Sequence, residues 1–94
     1  MFTQIRKRNG EIADFQQEKI TRAIFKAANA VGGNDWDMAE DLTNQVLLLA
    51  QEEFPQQNMI DVEVIQDLVE KVLIENGHAK TSKAYILYRE KRRS

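Results

Sequence analysis

Apolar residues recur at every third or fourth position in four separate stretches of this chain, which is the spacing of amphipathic helices. The first stretch ends at Gly32 and Gly33, a pair typical of a helix C-terminus. The second begins at Asp35 or Asp37 and stops before Pro55, because a residue that precedes proline avoids the helical region. The inward positions predicted for these helices are Ile20, Ala23, Ile24, Ala27, Ala28 and Val31, then Ala39, Leu42, Val46, Leu49 and Ala50, with Leu47 and Leu48 widening the second face.

Two further helices are predicted in the C-terminal half. A polar loop at residues 56–58 leads to Asp61, which we expect to cap the third helix, and Asn76 and Gly77 end it. The fourth helix is predicted from about Ala79 to the end of the chain. The predicted inward residues are Ile65, Leu68, Val69, Val72 and Leu73 on the third helix and Ala84, Leu87 and Tyr88 on the fourth.

A short β-hairpin is predicted before the helices. Residues 2–5 favour a strand, and Asn9 followed by Gly10 is typical of a type I′ turn, in which both central residues have positive φ. Asp14 is expected to cap the first helix, with Gln17 as its capping-box partner. Because a lone hairpin is marginally stable, it must pack on the helices. The pattern predicts an α+β fold, with a small N-terminal β-hairpin packed on a four-helix, bundle-like domain that spans residues 1–94.

Composition narrows the classes of function. The chain has 94 residues, enough for one domain, and no cysteine, which excludes disulfides, thiolate zinc sites and iron–sulfur clusters. No apolar run approaches the length of a membrane span, so no membrane partner is expected. A single histidine and scattered carboxylates give no nucleophile–base pair, and a phosphate-binding Gly-x-x-x-x-Gly-Lys loop is absent. We therefore expect a domain without catalytic activity of its own.

The charge is distributed unevenly although the net value is only −2. Lys71 is the only cation in residues 27–79, which are rich in acids, whereas both ends of the chain are basic. If the two ends meet in the fold, they form a positive pocket on an acidic body. Such a body repels a long polyanion but accepts a small one, so a phosphorylated small molecule is favoured over nucleic acid.

Four groups of residues, in order along the chain, resemble the ATP-cone family, the nucleotide-binding regulatory domain at the N-terminus of many ribonucleotide reductases. The groups are residues 7–10, Phe15 with Lys19 and Ile20, residues 65–67 with 69–70, and residues 84–86 with 88–89. The resemblance implies an allosteric site for ATP or dATP, with Mg²⁺ as a candidate companion ion. It implies control of overall reductase activity through subunit association, in a cytoplasmic enzyme of which this chain would be a fragment. The implied partners are the adenine nucleotide, the catalytic or radical-generating subunits of the parent reductase, and further copies of the chain.

The resemblance also assigns roles within the site. Lys7, Arg8 and Lys19 are the expected phosphate partners, with Arg89 or Lys91 as further cations. Gln66 falls where the family places a polar side chain close to the sugar, and we expect it to sense the 2′-position that distinguishes ATP from dATP. The expected walls of the adenine slot are Ile5, Phe15, Ile20 and Val62, although Phe15 would serve equally well in the core and Val62 replaces a serine or threonine frequent in the family. Without a bound anion, we expect the cations to repel one another across a small gap.

Three alternatives remain open at this point. The family domain also occurs in a transcriptional repressor of reductase genes, but that protein carries a cysteine zinc ribbon, which this chain lacks. A nucleic-acid-binding module would use the basic termini, against which the acidic middle argues. A helical protein-interaction domain would bind no nucleotide.

Overall fold

The structure, a computed structural model, describes the backbone of residues 1–93 and the side chains of residues 1–91. It contains a small sheet and four helices, so the predicted α+β class is confirmed, with one strand more than expected. The strands are β1 (Gln4–Arg6), β2 (Ile12–Asp14) and β3 (Met59–Asp61), and the helices are α1 (Gln17–Ala30), α2 (Trp36–Glu53), α3 (Val62–Glu75) and α4 (Ala79–Arg93). None of the described helices is both long enough and apolar enough to cross a membrane.

The sheet has the order β2-β1-β3, with β1 antiparallel to β2 and parallel to β3. Ile5 lies at its centre, opposite Ala13 on one side and Ile60 on the other, and Ile60 is buried. Because side chains alternate along a strand, these three residues share the face that packs on the helices, whereas Arg6 projects to the opposite face. The helices therefore support the hairpin through β3, which the sequence did not predict.

The turn between β1 and β2 differs from the predicted type I′. The Gly10 N–H donates to the Lys7 carbonyl at 2.9 Å, and the Lys7 N–H donates to the Glu11 carbonyl at 2.8 Å, which closes a three-residue loop. Gly10 has φ of 89°, but none of the described non-glycine residues has positive φ. This pattern is typical of a turn followed by a left-handed glycine. The Asn9 side chain accepts from the Glu11 N–H at 3.0 Å, which fixes the loop further.

The four helices pack in a ring, in which α1 contacts α2 and α4, and α3 contacts the same two helices. All five inward residues predicted for α3 are buried, as are most of those predicted for α1 and α2. Leu48, at 64% exposed, and Val31, at 44% exposed, face solvent against expectation. The predicted inward residues confirmed as buried are Ile20, Ile24, Ala27, Ala28, Ala39, Leu42, Val46, Ala50, Ile65, Leu68, Val69, Val72 and Leu73.

The predicted inward face of α4 is wrong in one position. Leu87 is 63% exposed, whereas Tyr85 is buried and joins the core, with Ala84 and Tyr88 partly buried beside it. Two residues along a helix correspond to a rotation of about 200°, so Tyr85 and Leu87 cannot both face inward. The larger aromatic ring occupies the core because it removes more apolar surface from water.

The helix starts confirm one predicted cap and correct two others. The Asp35 side chain accepts from the Met38 N–H at 3.0 Å at the start of α2, as predicted. Asp14 instead ends β2, and α1 begins after Gln16, which makes no side-chain capping bond. Asp61 flanks α3 as expected, but its side chain makes no capping bond.

Arg89 ties α4 to α3. Its side chain is only 12% exposed, and its guanidinium donates to Asp67 Oδ1 at 2.9 Å and to Glu70 Oε2. Burial alone would lower the pKa of Arg89, but the hydrogen bonds to Asp67 and Glu70 outweigh that effect and the pKa rises. Burial also raises the pKa of the neighbouring Tyr85 far above its ordinary value, so its hydroxyl stays neutral.

We expect Arg89→Gln to lower the free energy of unfolding by about 1–2 kcal/mol, measured by urea denaturation, because charge-assisted hydrogen bonds to a largely buried guanidinium are lost. The exposure of Asp67, at 73%, keeps this effect below that of a fully buried pair. Arg22→Gln is the control, since its pair with Glu18 at 3.4 Å lies in solvent and should contribute less than about 0.5 kcal/mol. Equal losses in the two variants would contradict a structural role for Arg89.

Candidate functional site

The hairpin loop presents two of the predicted phosphate partners, Lys7 and Arg8. Lys7 still pairs with Glu11 across the hairpin, so strand alternation places its side chain on the same face as Ile5, toward the helices. Arg8 follows as the first residue of the loop. The loop hydrogen bonds hold the backbone of both cations, which therefore extend from a fixed support.

The segment that leads from β2 into the first turns of α1 carries the next three predicted residues. The Phe15 N–H donates to the Thr3 carbonyl at 2.9 Å, and its ring lies 6.1 Å from that of Phe2, centroid to centroid, so Phe15 anchors the hairpin to the core. Lys19 lies in the first turn of α1, where the positive end of the helix dipole adds to its charge, and it is exposed. Ile20 is 9% exposed and belongs to the core.

The start of α3 meets the hairpin loop through Arg8. The Arg8 guanidinium donates to Gln66 Oε1 at 2.9 Å, and its Nε lies 3.3 Å from Glu63 Oε1. Val62, the first residue of α3, is half-buried, like Ile5 on β1. The structure thus joins the predicted phosphate-binding loop to the predicted sugar-sensing residue by a direct hydrogen bond.

The two predicted cations of α4 have different surroundings. Arg89 is engaged by Asp67 and Glu70, so its contribution here is to hold α4 against α3. Lys91, two residues later, is exposed near the end of α4. The further basic residues Arg92 and Arg93 lie outside the part of the chain whose side chains are described.

Carboxylates pair with two arginines of the hairpin, Arg6 and the predicted site residue Arg8, and the sequence did not predict these pairs. Arg6 NH1 lies 3.6 Å from Asp61 Oδ1, its partner in the sheet register, and Arg8 lies against Glu63. The expectation that the cations repel one another without an anion is therefore wrong for Arg8, because Glu63 balances its charge. The only signal of these ion pairs in the sequence was the presence of two acids, Asp61 and Glu63, near the start of α3. Acids are common at the solvent-exposed start of any helix, so this signal is not specific.

The predicted phosphate partners Lys7 and Lys19, in contrast to these arginines, have no carboxylate partner among the described side chains. Lysine carries a compact charge on a flexible stem, which suits a phosphate group that adopts several positions. Two ammonium groups and one guanidinium are donors of the kind that suits a ligand with several phosphates.

The structure also contains two clefts. One, of about 470 Å³, lies between β3 and the end of α2, and it is lined in part by Arg6, Asp61, Phe54 and Val64. The other, of about 610 Å³, opens at the opposite end of the bundle, beside Val31 and His78. None of the predicted site residues lines either cleft.

Comparison with known proteins places the chain in a family. The model of the ATP cone domain matches residues 3–94. The chain is 41% identical over its full length to the vitamin B12-dependent ribonucleoside-diphosphate reductase of Thermoplasma acidophilum, of which it covers 12%. It is 37% identical over 92% of its length to the alpha subunit of the ribonucleoside-diphosphate reductase of Chlamydia muridarum, covering 9% of that protein. It is 32% identical over 98% of its length to the anaerobic ribonucleoside-triphosphate reductase of Escherichia coli, again covering 12%.

The chain thus spans about a tenth of the length of these curated relatives, and the part it matches is the regulatory domain. The resemblance inferred from the four groups of residues is confirmed by a match over nearly every residue. The chain therefore belongs to the ATP-cone family of ribonucleotide reductase domains, whose role is regulatory nucleotide binding.

Proposed function

We propose that this chain senses adenine nucleotides for a ribonucleotide reductase, with ATP and dATP as its alternative ligands. The observation that carries the proposal is the link from Arg8, in the hairpin loop, to Gln66 on α3. This bond connects a residue suited to phosphate with one suited to the sugar. The family match over residues 3–94 supports the same ligand class.

In the proposed complex, the triphosphate lies at the corner formed by the hairpin loop and the start of α1. Lys7, Arg8 and Lys19 bind its phosphates, with Lys91 as a further cation, and each charge-assisted contact contributes about 1.5–3 kcal/mol. A Mg²⁺ ion would be held chiefly by the phosphates, as is usual for this ion. The adenine packs against half-buried apolar residues, for which Ile5, Phe15 and Val62 are the candidates. Ile20 supports this wall from the core.

The proposed output is control of a reductase in the cytoplasm. ATP would keep the enzyme active and dATP would inhibit it, by changing how catalytic or radical-generating subunits associate. ATP and dATP differ only at the 2′-position, so opposite outputs require a contact that depends on it. Gln66 is the proposed contact, because its side chain is half-buried and fixed by Arg8.

Titration calorimetry on this chain tests the proposed ligand class. We expect ATP and dATP to bind, and GTP to bind about tenfold more weakly, which corresponds to a loss of about 1.4 kcal/mol of base-specific contact. Equal affinity for all three nucleotides would mean that the site recognises phosphate and not adenine. Binding of none of them would leave the alternative of a protein-interaction domain.

The phosphate contacts are tested by lysine variants. Lys19→Ala and Lys7→Ala should each weaken ATP binding by about tenfold, because each loses one charge-assisted contact. Lys26→Ala is a matched control: Lys26 lies on the same face of α1, two turns or about 10 Å from Lys19, and is also exposed. Unchanged ATP affinity in a folded Lys19→Ala variant would remove Lys19 from the site, and the same holds for Lys7.

A further inference from the structure

Glu63 forms an ion pair with the guanidinium of Arg8, which the proposed function assigns to a phosphate. Arg8 extends from the hairpin loop to the first turn of α3, where one side of its guanidinium faces Glu63 at 3.3 Å and another donates to Gln66 at 2.9 Å. The Arg8 side chain is 25% exposed and that of Glu63 is 48% exposed, so solvent and a ligand can reach the pair. The charge of Arg8 is thus balanced by a carboxylate of the chain itself.

A guanidinium binds carboxylate and phosphate with the same planar donors. A phosphate that approaches Arg8 must therefore either replace Glu63 at the guanidinium N–H groups that Glu63 contacts, or bind elsewhere on Arg8 more weakly. It would also meet the negative charge of Glu63 at contact distance, which disfavours binding. Both effects make Glu63 a competitor of the ligand.

The ion pair of Arg6 with Asp61 does not compete with the proposed ligand. Arg6 and Asp61 are partners in the sheet register and lie 3.6 Å apart, on the face of the sheet opposite that of Ile5. Lys7, between the two arginines, forms no ion pair within the described side chains. Competition is therefore confined to the one hairpin cation that reaches α3 on the proposed ligand side.

We propose that Glu63 is a resident counterion of Arg8 which the triphosphate displaces, so that Glu63 sets the affinity for nucleotide and converts phosphate binding into a change in the first turn of α3. This inference rests on the proposed function of the corner. Glu63 tolerates the exchange because an acid in the first turn of a helix is stabilised by the helix dipole. When Arg8 turns to the phosphate, the Gln66 carbonyl loses its donor, and the residue proposed to sense the sugar becomes able to reorient.

The test compares Glu63→Gln with Glu75→Gln on the same helix. Both substitutions remove one negative charge from an exposed residue of α3. Glu75 lies 12 residues later, about 18 Å along the axis, which exceeds the Debye length of about 8 Å at physiological ionic strength. Glu75→Gln therefore reports the effect of net charge alone.

We expect Glu63→Gln to lower the dissociation constant of ATP by about threefold, since the exposed ion pair that competes with the ligand is weak. Inorganic tripolyphosphate should gain a similar factor, because the competition concerns phosphate and not adenine. Glu75→Gln should change either constant by less than about 1.5-fold. Hydrogen exchange supplies the second readout: ATP should alter the protection of residues 62–66 in the wild-type chain and alter it much less in Glu63→Gln.

The outcomes separate this inference from the proposed function. If the wild-type chain binds ATP but Glu63→Gln matches Glu75→Gln in both readouts, Glu63 is no competitor and the inference is overturned while the ligand assignment stands. If the wild-type chain binds no adenine nucleotide, the proposed function fails and the inference with it. Should Glu63→Gln fold poorly, Glu63→Asp keeps the charge but withdraws the carboxylate from Arg8, and an ATP affinity equal to that of the wild type would again overturn the inference.

Discussion

The parallel pairing of β1 with β3 is the constraint on which the rest of this structure depends. A hairpin of two three-residue strands would be marginal alone, because it buries too little surface to offset its loss of chain entropy. The third strand pairs with β1 along its whole length and continues directly into α3. The hairpin loop and the start of α3 are therefore fixed relative to each other by backbone hydrogen bonds. Any ligand that engages the loop acts on a body already joined to a helix of the bundle.

The apolar periodicity predicted most of the helical part of the fold, and it failed where contacts are not local. All five inward positions of α3 are buried because its stripe is regular and strongly apolar. Ile60 was missed as a strand residue for two reasons. A strand of three residues is too short to show a recognisable period, and β3 pairs with a segment more than fifty residues away. On α4 the stripe is weak, so the choice between Tyr85 and Leu87 depended on the shape of the core rather than on spacing.

In the candidate site, too, the features that depend on neighbouring residues were predicted, and those that depend on distant residues were not. The cations of the loop and of α1 were evident from the sequence, because clustered lysine and arginine beside a turn are a local signal. Their partners were not, since the pairing of Arg8 with Glu63 crosses from the loop to a distant helix. The structure therefore replaces the expected group of mutually repelling cations by two kinds of cation. The arginines are paired with carboxylates, whereas Lys7 and Lys19 form no ion pair among the described side chains. In this account, nucleotide binding exchanges one anion for another at Arg8 and adds new contacts at Lys7 and Lys19.

The most direct test of this account is an NMR titration of the chain with ATP that follows backbone amides and the Arg8 side-chain Nε–H. The account predicts chemical-shift changes at residues 5–11, 17–20 and 62–66, together with the Arg8 Nε–H, and little change along α2. Changes concentrated at the opposite end of the bundle, at residues 31–38 and 77–81, would instead place the ligand in the cleft beside Val31 and His78 and contradict the account.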